Sequence, residues 1–130
     1  MWLLKTEPGT YSYEDLERDG ETRWDGVANP VALRNLRAMK AGDRVVVYHT
    51  GSEKAAVGLA EVLRAAYPDP KHPKLAVVDL AARGRLPRPV TLAEIKARPA
   101  FADSPLVRQG RLSVVPLTAE QMKFLTGAAR

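Results

Sequence analysis

Residues 29–50 read NPVALRNLRAMKAGDRVVVYHT, and the stretch changes its pattern half-way. Asn29 before Pro30 is a helix start: asparagine caps free amides and proline is tolerated in the first turn. Leu33, Leu36 and Met39 then recur at helical spacing, and the helix is predicted to end near Gly42. From Asp43 to Thr50 branched and aromatic residues take over, the clearest strand pattern in the chain. Helix and strand therefore alternate at short range.

Working outward, WLLKTE at 2–7 is a short apolar run, predicted to be a buried first strand that Pro8-Gly9 stops. Ser12 is placed as an N-cap with Asp15 three residues on, and Tyr11 can staple onto Leu16. That helix is predicted to run to about Asp19 and end at Gly20. On the other side, residues 51–54 read as a connection into a second strand at about 55–66. YPDPKHPK, 67–74, holds three prolines and reads as a loop. LAVVDLAARG, 75–84, is a further strand, followed by an edge piece around Arg85 to Arg88. Thr91 with Glu94 and Thr118 with Gln121 are capping boxes, stapled by Val90/Ile95 and Leu117/Met122. LSVVP, 112–116, reads as a strand between them, and Gly127 ends the last helix.

Five or six strands with about four short helices do not alternate as a doubly wound sheet requires. The expected fold is α+β: a mixed or mostly antiparallel sheet curled into a small barrel, with helices packed outside. The chain of 130 residues is the size of one domain, taken as 1–130.

Composition narrows the function. There is no cysteine, and His49 and His72 lie far apart, so neither a metal nor a cofactor is expected. No apolar run approaches a membrane span and MWLLKTEP does not read as a signal peptide, so a cytoplasmic setting is expected. Dinucleotide, P-loop, nucleophile-elbow and zinc-protease motifs are all absent. The net charge is +5, unevenly placed: residues 1–65 hold 9 basic and 10 acidic side chains, residues 66–130 hold 11 and 5. A basic excess fits either a polyanion partner or a solvated face.

Five pieces carry a family resemblance: WLLKTEP at the start, WDGVANP at 24–30, LRNLRAMKAGDRVVVYHT at 33–50, AVGLAEVLRAAYPDP at 56–70 and RLSVVPLTAEQ at 111–121. In that order they resemble the EVE domain family, a branch of the PUA-like superfamily. Pro30 and Leu33 depart from the family pattern, which commonly has an aromatic and an alanine there. The resemblance implies a pseudobarrel whose concave pocket binds a modified base in nucleic acid, without catalysis, as a monomer or weak dimer.

Base reading needs a π-face, polar groups for the base edge and cations for phosphate. Trp24 is the expected stacking wall and Tyr48 a second one. Asn29, Asp25, Glu7, Thr6 and Ser113 are edge candidates, since acids accept from cytosine and amides offer both bond types. Lys5, Val27 and His49 complete the expected pocket. Arg34, Arg37 and Arg111 are assigned to phosphate. Asn29 can equally be only a cap, and Lys5 with Glu7 only a surface ion pair. Two alternatives stand beside the reader: a general tRNA- or rRNA-binding domain, and a small amidohydrolase on acylated cytosine. The latter is suggested by distant relatives that use Lys, Thr and Glu, the residue types at Lys5-Thr6-Glu7. Adjacent strand residues point to opposite faces, which disfavours that triad on a regular strand.

Overall fold

The computed structural model describes residues 1–127. Its frame is one six-stranded sheet: β1 (Trp2–Thr6), β2 (Glu21–Trp24), β3 (Arg44–His49), β4 (Ala55–Pro68), β5 (Ala76–Thr91) and β6 (Val114–Pro116). The spatial order is β2-β5-β4-β3-β1-β6. β1 and β3 are parallel and every other pair is antiparallel. The helices are α1 (Tyr13–Asp19), α2 (Pro30–Ala38), α3 (Leu92–Lys96), α4 (Pro105–Arg108) and α5 (Ala119–Thr126), with a 3-10 turn at Pro99–Phe101. The expected α+β class is the one found.

The helix starts form as their side chains dictate. Ser12/Asp15, Thr91/Glu94 and Thr118/Gln121 each close a reciprocal capping box. Asn29 Oδ1 accepts from the amides of Val31 and Ala32, with Pro30 in the first turn of α2. The residues that depart from the family pattern are thus accommodated: Pro30 opens the helix and Leu33 is buried. α2 packs its Ala32, Leu33 and Leu36 inward, and Asn35 Nδ2 donates to the Val114 carbonyl of β6.

Long strands curl the sheet. β4 and β5 are paired over most of their lengths, with the register shifting at four places. Each shift is a bulge or irregularity that bends and twists the ribbon. In one of them Pro87 and Pro89 fall between the pairs Gly58↔Arg85 and Ala56↔Val90, where proline's missing donor costs no ladder bond. The expected edge piece at Arg85 to Arg88 is therefore the far part of β5. The proline-rich loop is shorter than its composition suggests, because Tyr67 and Pro68 still pair with Val77 and Ala76. β2 was not expected: four residues, ETRW, carry too short an alternation to stand out, and pairing with β5 makes them a strand.

One cluster of buried apolar residues runs from Leu3 to Leu125. Tyr13 is fully buried in it, with the single proton of its hydroxyl shared between the Leu59 and Gly84 carbonyls and its oxygen accepting from the Gly84 amide. Its ring lies so close to Gly58 that a Cβ there would overlap it.

Candidate functional site

The curl brings β2, at one edge of the sheet, round to the C-terminal end of β1. A cavity of about 600 Å3 opens between them, within the range of small-molecule sites.

Three segments build its walls. The first begins where β1 stops. Beyond Thr6 the chain folds back: Glu7 Oε1 accepts from the Gly9 amide, the Glu7 carbonyl from Thr10 and Tyr11, and Thr6 Oγ1 donates to the Tyr11 carbonyl at 2.6 Å. These bonds fix Tyr11, whose ring meets Trp24 at 6.2 Å between centroids and an interplanar angle of 86°. The second wall is Thr22–Val27. Trp24 ends β2 and is 8% exposed; Gly26, at φ 78°, then turns the chain through the left-handed region so that Val27 is buried while Asp25 stays outside. Among the described residues no partner takes the Trp24 indole N–H, and no buried side-chain nitrogen or oxygen lacks a partner, so that N–H keeps some contact with solvent. The third wall is Ser113. Its carbonyl accepts from the Lys5 amide at 2.9 Å, and Lys5 Nζ donates to the Gly110 carbonyl at 2.8 Å. Burial holds the Lys5 ammonium below its ordinary pKa and the Tyr11 phenol above its own.

Of the residues proposed from sequence, the structure gathers Lys5, Thr6, Glu7, Trp24, Asp25, Val27 and Ser113 around this one cavity. Lys5 and Glu7 form no ion pair with each other; each has found a backbone partner instead. Lys5, Thr6 and Glu7 reach the same space despite their neighbouring positions, because the strand ends at Thr6 and the chain turns.

Other proposed residues lie elsewhere. Tyr48, 3% exposed, sits beneath Lys5, whose Nζ is 5.7 Å from the ring centroid, and it does not line the cavity. His49 faces away. Its Nε2 accepts from the Tyr13 amide at 2.9 Å, so the proton sits on Nδ1, 2.7 Å from Glu53 Oε1. That ring anchors α1 and borders a separate cavity with Glu14 and Arg85. Asn29 caps α2 and borders a groove with Val31, Gly110 and Arg111. Arg34 is exposed on α2, and Arg37 Nη2 donates to the Lys74 carbonyl at 3.1 Å.

Thr10, Tyr11, Thr22 and Arg23 also line the cavity and were not named from sequence. From sequence Tyr11 has only the role of a staple onto Leu16. The remaining signal, a tyrosine a few residues beyond the strand that carries Lys5-Thr6-Glu7, becomes meaningful only once the sheet curls.

The EVE domain model matches residues 1–128. The chain belongs to the EVE domain family. Human thymocyte nuclear protein 1 is 31% identical over 160 residues, covering 95% of this chain and 71% of the human protein. Among solved structures, Rpa0253 from Rhodopseudomonas palustris is 42% identical with a TM-score of 0.91, over 97% of this EVE chain and 90% of that one. Human THYN1 protein, solved in complex with 5-methylcytosine-containing DNA, is 30% identical with a TM-score of 0.87, over 98% and 95% of the two chains. An ASCH structure from Zymomonas mobilis shares the fold at a TM-score of 0.61 and 13% identity.

Proposed function

We propose that this EVE domain binds DNA and takes one modified base, a methylated cytosine or a related polar derivative, into the cavity between β1 and β2. The observation that carries the reading is the corner made by Tyr11 and Trp24, set at 86° and opening on a cavity with both donors and acceptors. A flat ring stacked on one of two perpendicular aromatics meets the other edge-on. Base stacking on an aromatic is worth about 1–3 kcal/mol. Asp25 and Glu7 supply carboxylates of the kind that accept from the cytosine amine, while Lys5, Ser113 and the Trp24 indole supply donors. Arg34, Arg37 and Arg111 are assigned to phosphate. The complex of the THYN1 relative with 5-methylcytosine-containing DNA supports the choice of base and polymer.

The role assigned is binding rather than catalysis. Lys5 donates to Gly110, Thr6 donates to Tyr11 and Glu7 accepts from Gly9, so none of the three is hydrogen-bonded to another as a nucleophile and base would be. A single methyl contributes about 0.8 kcal/mol by burial, about a fourfold preference. A polar mark that makes a required hydrogen bond is discriminated far more sharply.

Fluorescence polarisation against short DNA and RNA strands tests this, with cytosine or adenine unmodified, methylated or hydroxymethylated. The expected outcome is a preference for one modified cytosine in DNA that Tyr11→Leu removes while the melting temperature holds. Equal affinity across the panel, or tight binding of structured RNA with no preference for a modification, overturns it.

A further inference from the structure

The cations of this chain divide into two sets. Every arginine or lysine ion pair among the described residues belongs to Arg18, Arg83, Arg85, Arg88 or Arg108. Among the exposed cations that take part in none, along with others such as Lys54, Lys96 and Arg98 that lie elsewhere in the fold, are Arg34, Arg37, Lys71, Lys74 and Arg111. Their segments are also poor in acids: 29–42, 70–78 and 109–113 contain no Asp or Glu. The nearest in sequence, Asp69, is 5% exposed and accepts from the Lys71 amide.

What distinguishes these five is that their segments continue the walls of the base cavity. One wall of the cavity runs through Trp24 and Val27; two residues on, Asn29 and Val31 border the adjoining groove of about 260 Å3. The opposite wall does the same, from Ser113 in the cavity to Arg111 and Gly110 in the groove, with Lys5 Nζ bonded to the Gly110 carbonyl between them. From Val31, positions three apart on α2 bring Arg34 and then Arg37 onto the same side. The Arg37 guanidinium then reaches the Lys74 carbonyl at the β4–β5 turn. The nine residues of α2 span about 14 Å, or about four nucleotide steps along one strand.

Building on the proposed base-binding role, we infer that the DNA strand carrying the bound base leaves the cavity over Gly110 and Arg111 and runs along the exposed side of α2 to Lys71 and Lys74. The arginines of β5, equally basic in the sequence, are not part of this path. Each is already neutralised: Arg83 by Glu61 at 3.0 Å, Arg85 by Glu17 at 2.7 Å and Arg88 by Glu94 at 2.7 Å. A phosphate contact there must first displace a carboxylate, whereas the cations along α2 exchange only loosely held counterions.

Salt titration of binding separates the two sets. The probes are a short DNA duplex with one 5-methylcytosine and its unmodified twin. Each phosphate contact contributes about 0.9 to the slope of log affinity against log salt. The double variant Arg34→Gln/Arg37→Gln is expected to lower that slope by about 1.8 on both duplexes, and Lys71→Gln/Lys74→Gln by a similar amount. Arg83→Gln/Arg85→Gln is expected to leave it unchanged. The ratio of affinities for the two duplexes is expected to hold in every variant. If the ratio holds but the slope follows Arg83 and Arg85, the path is wrong and the base-binding role stands. If the duplexes bind equally and the slope still follows Arg34 and Arg37, the path stands and the base-binding role falls. Absence of binding to either duplex overturns both.

Discussion

Trp2 begins β1 and Trp24 ends β2, and their indoles are held in opposite ways. Trp2 is the less buried of the two, yet its N–H donates to Asp43 Oδ2 at 2.9 Å. The same oxygen accepts from the Lys40 amide and so holds the turn between α2 and β3. Trp24 is packed into the core cluster and also lines the cavity, and among the described residues no partner takes its N–H. Depth of burial therefore does not separate the tryptophan that holds a turn from the one proposed to meet a base. What separates them is what the indole meets: the Trp2 N–H is tied to Asp43, and at the Trp24 end donors and acceptors converge on an open space.

The comparison breaks most visibly at Trp24 itself. Because the ring is both core and wall, Trp24→Ala is expected to cost about 3–5 kcal/mol of stability, as large aromatic truncations do. It is not a clean binding variant. Trp24→Phe keeps most of the buried surface and removes the N–H. Denaturant unfolding of the two variants checks this: a cost below 1 kcal/mol for the alanine variant shows that Trp24 stands on the core rather than in it.

Much of the fold was legible because its signals are local. Capping pairs three residues apart act on their own helix, so Ser12/Asp15, Thr91/Glu94 and Thr118/Gln121 could be placed without tertiary information. The strands β1, β3 and β4 carry enough apolar or branched residues to declare themselves. β2 does not, since its structure comes from pairing with β5 far along the chain. The site followed the same division. Trp24, Asp25 and Val27 surround a glycine turn, and Lys5-Thr6-Glu7 end a strand before Pro8-Gly9; both are places where a chain changes direction. Tyr11 is absent from the candidates because it precedes its helix, where no periodicity tells which way a ring points. Tyr48 and His49 fit any binding role by residue type, and only the β1–β3 register and the bond to Tyr13 show that one lies below the cavity and the other away from it.

At the closed end the decisive variant is Asp43→Ala, which leaves the Trp2 indole and the Lys40 amide without their acceptor. A loss of about 1–3 kcal/mol is expected, with affinity for DNA unchanged. The carboxyl also titrates informatively. Burial alone would raise its pKa, but the Lys40 amide, the Trp2 indole and nearby positive charge outweigh that and hold it below the ordinary 3.8. A carboxylate lowered on folding stabilises the protein fully above its unfolded pKa, and that contribution disappears as pH falls through the folded value. Acid unfolding followed by circular dichroism should therefore lose part of its pH dependence below about pH 4 in Asp43→Asn. An unchanged acid limb shows that the Trp2 end draws its stability from packing alone.

The smallest effect on stability, and the sharpest contrast with Asp43, belongs to Asp25. It is exposed, it lines the cavity, and it takes part in no ion pair among the described residues. Nothing in the fold depends on its charge, so Asp25→Asn is expected to change stability by no more than about 0.5 kcal/mol. Binding should respond differently. An amide retains one acceptor oxygen but adds a donor where a carboxylate offers acceptors only. Against the cytosine amine that substitution weakens one charge-assisted bond, worth about 1.5–3 kcal/mol when intact, and the weakening must fall on cytosine-containing strands and spare others. A uniform loss across all strands would mean that Asp25 shapes the rim rather than meeting the base, and Glu7 would become the carboxylate to change next.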